Sequence, residues 1–287
     1  MKIAFLGTGL MGEPMAQRLL SAGNRLSVFN RTTLKTERLC QKGATLAFKP
    51  IDAIQDAEVV ITMLTDYSAV CSVLCSSKKL GYKNKTVIQM STISPDESLL
   101  LKERVESLGG EYLEAPVLGS IQQAADGTLI IMVGSTDEQF LMNKKILDVM
   151  GNKVIHIGDV GKGSAVKLAL NQLIASLLTA FSMSLGYIRE KEVDVEKFMD
   201  ILRSSVLYAL TFDKKLPNFL NRDFTQTNFP LKHLLKDVNI IIDQYAQKGI
   251  DTGILVKVKE VLDKSLQQKF TELDYTAFYN TIHPPKE

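Results

Sequence analysis

The chain opens Lys2-Ile3-Ala4-Phe5-Leu6-Gly7-Thr8-Gly9-Leu10-Met11-Gly12-Glu13-Pro14-Met15-Ala16-Gln17-Arg18-Leu19-Leu20, and the rest of the molecule follows from this stretch. Residues 3–6 are an apolar run suited to a short buried strand, and Gly7, Gly9 and Gly12 have the G-x-G-x-x-G spacing. Met11, Met15 and Leu19 then recur at helical spacing. The reading is strand, tight turn, helix. Such a turn lets backbone approach a pyrophosphate, and the helix start adds unpaired N–H groups and the positive end of a dipole. Gly7, Gly9, Leu10, Met11 and Gly12 are therefore the expected turn of a dinucleotide site.

The second strand, residues 25–29, bears on which dinucleotide. It runs into Asn30-Arg31-Thr32, where an NAD-selective domain places an acid for the ribose 2′-hydroxyl. No acid stands there. Neutral Asn30, cationic Arg31 and hydroxyl-bearing Thr32 can accept a 2′-phosphate, so NADP(H) is expected over NAD(H). The plainer alternative for Arg31 is a solvated loop charge.

Strands and helices alternate through the first half, the pattern of a doubly wound parallel sheet. A short strand follows Gly43, Pro50 starts a small helix, and residues 58–64 read as a buried parallel strand. Thr65-Asp66 cap the next helix. After the strand 86–90, Ser94 and Glu97 have capping-box spacing around Pro95, opening a helix over 95–108. Residues 111–115 form a strand, 116–120 a turn, 121–125 a short helix and 128–133 a strand. A helix capped by residues 134–136 runs to about 150, and the strand 153–157 closes this half. From Ser164 only helices are expected: 164–190, 195–203, 206–220, 230–248, 253–269 and a short one after Asp274. The domains are then 1–162, binding NADP, and 163–287, an all-helical substrate and oligomerisation domain, joined by the long helix. The active site is expected between them, beyond the carboxyl ends of the strands.

Composition narrows the function classes. With 287 residues there is length for two ordinary domains. A net charge of +2 and no basic stretch interleaved with aromatics argue against a nucleic-acid partner. Cys40, Cys71 and Cys75 form no C-x-x-C and the three histidines are scattered, so neither a disulfide framework nor a metal site is expected. Met1 runs straight into the first strand, without the charged and apolar regions of a secretory leader, and a reducing, cytoplasmic setting is expected. Residues 168–188 carry no charge and are long enough to span a bilayer. Their Asn171, Gln172, Ser176, Thr179, Ser182 and Ser184 favour a buried helix over a membrane span, and the apolar surplus suggests a homodimer or homotetramer.

Lys167 and Asn171 stand at i and i+4 just past a glycine-rich turn, so both project from one helix face. A half-desolvated lysine can have a lowered pKa and pass a proton to or from a carbonyl oxygen. A lysine snorkelling off the helix end is the alternative. Lys236-Asp237, midway along 230–248, reads by spacing alone as a surface ion pair.

Four separated motifs span nearly the whole chain: Gly7-x-Gly9-x-Met11-Gly12-x-Pro14-Met15-Ala16; Ser91-Thr92-x-Ser94-Pro95; Ala115-Pro116-Val117-x-Gly119 followed by Gly127-Thr128-Leu129; and Gly161-x-Gly163-x-x-x-Lys167-x-x-x-Asn171. In them the chain resembles the β-hydroxyacid dehydrogenase family, which includes 3-hydroxyisobutyrate dehydrogenase and the glyoxylate/succinic semialdehyde reductases. Asn30-Arg31-Thr32 is similar to the NADP-preferring, glyoxylate reductase-like branch. The resemblance implies a Rossmann-type domain followed by a helical one, and a small carbonyl or hydroxy acid as substrate. It implies Lys167 as general acid and Asn171 as a holder of substrate or lysine. Ser91 and Thr92 would lie along the nicotinamide side, Met63, Leu64 and Thr65 beside the cofactor, and Lys236 against cofactor or substrate. Where many members have Ser-Gly-Gly after Pro-Val to grip a substrate carboxylate, this chain has Leu118-Gly119-Ser120. That departure favours a longer semialdehyde or a substrate with an apolar wall near C2. The expected activity is NADPH-dependent reduction of a short aldehyde- or keto-acid. A 3-hydroxyisobutyrate-type dehydrogenase, an imine reductase and a catalytically silent NADP-binding scaffold are the alternatives. Imine reductases usually carry another residue where Lys167 stands.

Overall fold

The computed structural model describes residues 1–75 and 81–286. β1 (Lys2–Leu6) leads through the glycine turn into α1 (Gly12–Ser21), and β2 (Arg25–Phe29) returns beside β1. A single 3₁₀ turn, Thr33–Thr36, and α2 (Glu37–Gln41) come next, neither marked by the hydrophobic pattern. β3 (Thr45–Leu46), α3 (Pro50–Ile54), β4 (Val59–Thr62), α4 (Tyr67–Leu74), β5 (Thr86–Gln89), α5 (Pro95–Ser107) and β6 (Glu111–Glu114) complete a parallel run ordered β3-β2-β1-β4-β5-β6. Residues alternate between its two faces, as a pleated strand requires. Ile3, Phe5, Val59, Ile61 and Ile88 join one apolar cluster, and Ala4, Leu6, Val60 and Val87 join the other. Helices cover both faces, which is why these strands read as nearly continuous apolar runs.

Local capping chemistry sets the helix starts. The Asp66 carboxylate accepts the Ala69 N–H at 2.8 Å to open α4. At α5, Ser94 Oγ accepts from Glu97 N at 3.2 Å and Glu97 Oε2 accepts from Ser94 N at 2.8 Å, the reciprocal box expected from the spacing.

Beyond β6 the chain departs from its expected course. Residues 116–120, expected as a turn, contain β7 (Val117–Leu118). After α6 (Ile121–Asp126), β8 (Leu129–Gly134) pairs antiparallel with β7, Val117 opposite Ile131 and Leu118 opposite Ile130. Two residues carry too little alternation to announce a strand; pairing with β8 makes it one. α7 (Asp137–Leu147) leads to β9 (Gly151–Gly158), parallel to β8.

α8 (Lys162–Glu190), α9 (Val195–Arg203), α10 (Leu210–Asn221), α11 (Leu231–Ala246), α12 (Gly253–Gln267), a 3₁₀ turn Tyr275–Phe278 and α13 (Tyr279–Ile282) follow. The chain divides into two compact units, Met1–Leu168 and Ala169–Glu287, the division falling inside α8. α10 begins four residues later than its predicted start at 206. The Ser205 hydroxyl captures the Leu207 N–H at 3.2 Å, giving the backbone a local alternative to helix. α8 is long and apolar enough to cross a bilayer. Its Ala175, Leu178, Phe181 and Leu185 instead join the core of the helical unit, where the Phe181 and Phe212 rings stack with centroids 4.6 Å apart.

Candidate active site

In the glycine turn each glycine answers a different constraint. Gly7 adopts φ +105° and donates its N–H to the Phe29 carbonyl at 2.8 Å, and a Cβ there would sit 2.2 Å from the Met63 carbonyl oxygen. A Cβ on Gly12 would fall 1.9 Å from the Gly7 carbonyl oxygen, so α1 can start against the turn only without a side chain. A Cβ on Gly9 would meet nothing within 4 Å. The protein leaves that space open at the start of α1, where the first backbone N–H groups lack intrahelical partners. Leu10 is exposed and Met11 half-buried beside it.

Asn30 is more than a missing acid. Its Oδ1 accepts the Thr8 N–H at 3.2 Å and its Nδ2 donates to the Thr32 carbonyl at 2.9 Å, tying the glycine turn to the loop after β2. An aspartate could make the first bond but not the second. Arg31 and Thr32 are exposed on that loop.

At the ends of β4 and β5 the backbone is similarly braced. Met63 donates its N–H to the Leu6 carbonyl at 2.9 Å, Met63 and Leu64 are half-buried, and Thr65 is exposed. Ser91 is buried, and its Oγ accepts the Leu64 N–H at 2.8 Å. The buried Gln89 carboxamide donates to the Ser91 carbonyl at 3.0 Å and accepts the Ser91 N–H. Ser91 thus joins two strand ends, with half-buried Thr92 next to it. Leu118 lies half-buried in β7. Gly119 has φ +154°, and a Cβ there would be 2.6 Å from Leu129 Cδ2. The Ser120 side chain caps α6, accepting the Gln123 N–H at 3.3 Å.

In the helical unit, Asn171 is 2% exposed and donates from Nδ2 to Asp237 Oδ2 at 2.6 Å. Asp237, also 2% exposed, holds Lys236 Nζ at 2.7 Å on its other oxygen. Lys236-Asp237 is therefore no surface pair: the stripe of Leu231, Leu234, Leu235, Val238 and Ile241 carries Asp237 into the interior with it. The buried Asn171 Oδ1 has no hydrogen-bond partner, leaving one acceptor of an oriented amide unused. Lys167, half-buried, stands one turn before Asn171 on α8, in the part of that helix that belongs to the first unit. His233, one turn before Lys236 and Asp237, packs its ring against Phe229, centroids 6.4 Å apart. Burial, and then the charges of Lys236 and Lys232, push its imidazole pKa down. Sequence reasoning credited the lysine of the Lys-Asp pair, but the aspartate is the hub that joins α11 to α8. Its partner lies 66 residues away, so only the apolar stripe around it signalled burial. Gln89 was missed for a similar reason: its role depends on a two-residue turn geometry that no pattern announces.

Residues 2–158 match the family described as the NAD-binding domain of 6-phosphogluconate dehydrogenase. Residues 161–282 match that described as NAD-binding of NADP-dependent 3-hydroxyisobutyrate dehydrogenase. The chain belongs to the β-hydroxyacid dehydrogenase family. As a member it is an NAD(P)-dependent oxidoreductase acting on CH–OH groups. It is 30% identical to glyoxylate/succinic semialdehyde reductase 1 of Arabidopsis thaliana, over the full length of both chains. It is 33% identical to the mitochondrial 3-hydroxyisobutyrate dehydrogenase of Drosophila melanogaster, covering 99% of this chain and 90% of that one. Among solved structures, the 3-hydroxyisobutyrate dehydrogenase of Mycobacterium tuberculosis with L-serine superposes with a TM-score of 0.88 at 25% identity, covering 98% of each chain. Like these β-hydroxyacid dehydrogenases, the chain pairs a Rossmann-type sheet with helices.

Proposed function

We propose that this β-hydroxyacid dehydrogenase is an NADPH-dependent reductase of a short aldehyde- or keto-acid of the glyoxylate/succinic semialdehyde type. The observation that carries the chemistry is Lys167 standing one helical turn from a buried amide, Asn171, whose orientation Asp237 fixes at 2.6 Å. The full-length likeness to the Arabidopsis glyoxylate/succinic semialdehyde reductase supports the substrate class. When bound, the cofactor supplies the hydride. Lys167 delivers a proton to the carbonyl oxygen as negative charge develops there, and takes it back in the oxidative direction. Asn171 orients substrate through its unused Oδ1, and Lys236, steadied by Asp237, contacts cofactor or substrate. Gly7, Gly9, Leu10, Met11 and Gly12 hold the pyrophosphate, with Met63, Leu64, Thr65 and Thr92 along the cofactor. Asn30, Arg31 and Thr32 favour NADP(H): the amide brings no negative charge to repel a 2′-phosphate, and Arg31 is exposed to meet it.

Ser91, Leu118, Gly119 and Ser120 border the substrate. The Ser120 hydroxyl is engaged at α6, and Leu118 offers an aliphatic surface, which favours a longer or methyl-bearing acid over the smallest polar ones. The same feature favours, as a second reading, a 3-hydroxyisobutyrate-type dehydrogenase, in keeping with the Drosophila relative. Residues 1–162 bind NADP, residues 163–287 serve substrate and assembly, and the enzyme works in the cytoplasm as a homo-oligomer.

The test is NADPH oxidation with glyoxylate, succinic semialdehyde, methylglyoxal and an imine, with Lys167→Ala beside the wild type. Turnover of an aldehyde acid that falls roughly 100-fold or more in the variant supports the reading, this being the scale of a lost general acid. Tight NADPH binding without turnover of any carbonyl would replace it with the silent scaffold.

A further inference from the structure

Glu114 ends β6 with no exposed surface, and both its carboxylate oxygens are engaged at the start of α8. Oε1 accepts the N–H groups of Gly161 at 2.8 Å and Ser164 at 3.0 Å, and Oε2 accepts the Ser164 hydroxyl at 2.6 Å. A carboxylate this deep survives only with full compensation. A helix start provides it, because its first N–H groups lack intrahelical partners and carry partial positive charge. The surroundings are cut to admit the side chain. A Cβ on Gly134 would lie 2.4 Å from Glu114 Oε1, and one on Gly163 would lie 3.1 Å from it and 2.6 Å from the Met132 carbonyl oxygen. Gly161 turns its N–H into the carboxylate at φ +99°.

Lys167 follows Ser164 at i+3, close to one turn. We propose that Glu114 is a positioning residue for Lys167: by pinning the backbone and hydroxyl of the first turn it fixes the height and rotation of α8. This rests on the reading of Lys167 as proton donor. With side chains ending about 6 Å from a helix axis, a rotation of about 10° displaces their tips by about 1 Å. Displacements of that size can cost up to about 100-fold in rate. Gly161 and Ser164 are both buried around the carboxylate.

The experiment compares wild type, Glu114→Gln, Lys167→Ala and the double variant in full-length protein. It measures kcat with succinic semialdehyde and glyoxylate, and NADPH affinity by fluorescence titration without substrate. Glu114→Gln is expected to lower kcat about tenfold or more. NADPH affinity should stay within about twofold, and adding Glu114→Gln to Lys167→Ala should change kcat by less than about twofold, the non-additivity of residues that act as one unit. A kcat in Glu114→Gln close to wild type overturns the inference. So does an equal loss of NADPH affinity, or a full further loss in the double variant. Should Glu114→Gln not fold, Ser164→Ala removes only the 2.6 Å bond. It is expected to lower kcat about threefold at unchanged NADPH affinity, and an unchanged kcat overturns the inference. Lys167→Ala separates the two ideas. Wild-type turnover in that variant removes the proton-donor reading itself, whereas a large loss there without one in Glu114→Gln removes only the positioning role.

Discussion

Gly9 and Gly12 are the same residue for opposite reasons, and substitution separates them. In Gly9→Ala the methyl meets no protein atom, so melting should stay near wild type while NADPH binding weakens by about tenfold, or about 1.4 kcal/mol. In Gly12→Ala the methyl collides with the Gly7 carbonyl oxygen, and overpacking of this kind costs about 1–3 kcal/mol, so the melting temperature falls. Thermal melts and NADPH titrations of both variants decide; unchanged NADPH affinity in Gly9→Ala would mean that the turn is not the cradle. Asp237→Ala is the matching test in the helical unit. It strips the buried Asn171 amide and Lys236 of their shared carboxylate, and breaking a buried pair costs about 3 kcal/mol at the low end, where a lysine with one-fifth of its side chain exposed belongs. Urea unfolding should show that loss, and kcat/KM should fall with it. The glycines were legible because their spacing is local: Gly7 to Gly12 form one short turn between β1 and α1. The Asn171–Asp237 bond was not: Asn171 was singled out on α8, but its partner lies 66 residues away on α11 and read by spacing as half of a surface ion pair.

Elements announce themselves where their ends carry their own chemistry. Asp66, Ser94 with Glu97, and Thr136 with Gln139 cap α4, α5 and α7 through side chains within three residues of the backbone they serve, so those starts were legible. β7 and the start of α10 were not, because a partner strand and one serine hydroxyl decide them. α11 shows how an element can also set a pH response. Burial, then Lys236 and Lys232, hold the His233 pKa below its ordinary 6.5. Well above 6.5 the ring is neutral whether the chain is folded or not, and it contributes no pH dependence. As pH falls through 6.5 the unfolded chain takes up the proton first, so stability declines, and it goes on declining until the folded pKa is reached. His233→Gln should therefore flatten the acid side of the stability profile and leave it unchanged near neutrality. Denaturant midpoints for wild type and variant between about pH 5 and 8 check this, and parallel profiles would show that His233 is not the group responsible.

For the whole molecule, the question is what covers the outer arc of α8. Its helical wheel separates cleanly at 3.6 residues per turn: Ala175, Leu178, Phe181 and Leu185 take the core, while Leu173, Leu177, Met183 and Tyr187 fall within about 120° on the other side. Those four are 49, 39, 61 and 63% exposed. The sequence showed a helix apolar nearly all round and therefore in need of two partners; it could not show which arc each would take, since both are built from the same residue types. An apolar stripe about 20 Å long is more than a protomer ordinarily leaves in water, and a second copy of α8 laid antiparallel against it is self-complementary about a twofold axis. Sedimentation should then give a multiple of the 31.8 kDa protomer mass. Met183→Lys with Tyr187→Glu, both at exposed positions, should shift the enzyme to monomer while its helical content and NADPH affinity persist. A wild-type protein that sediments as monomer at micromolar concentration would sink the idea. An assembled double variant would place the interface on another face, leaving the stripe without its partner.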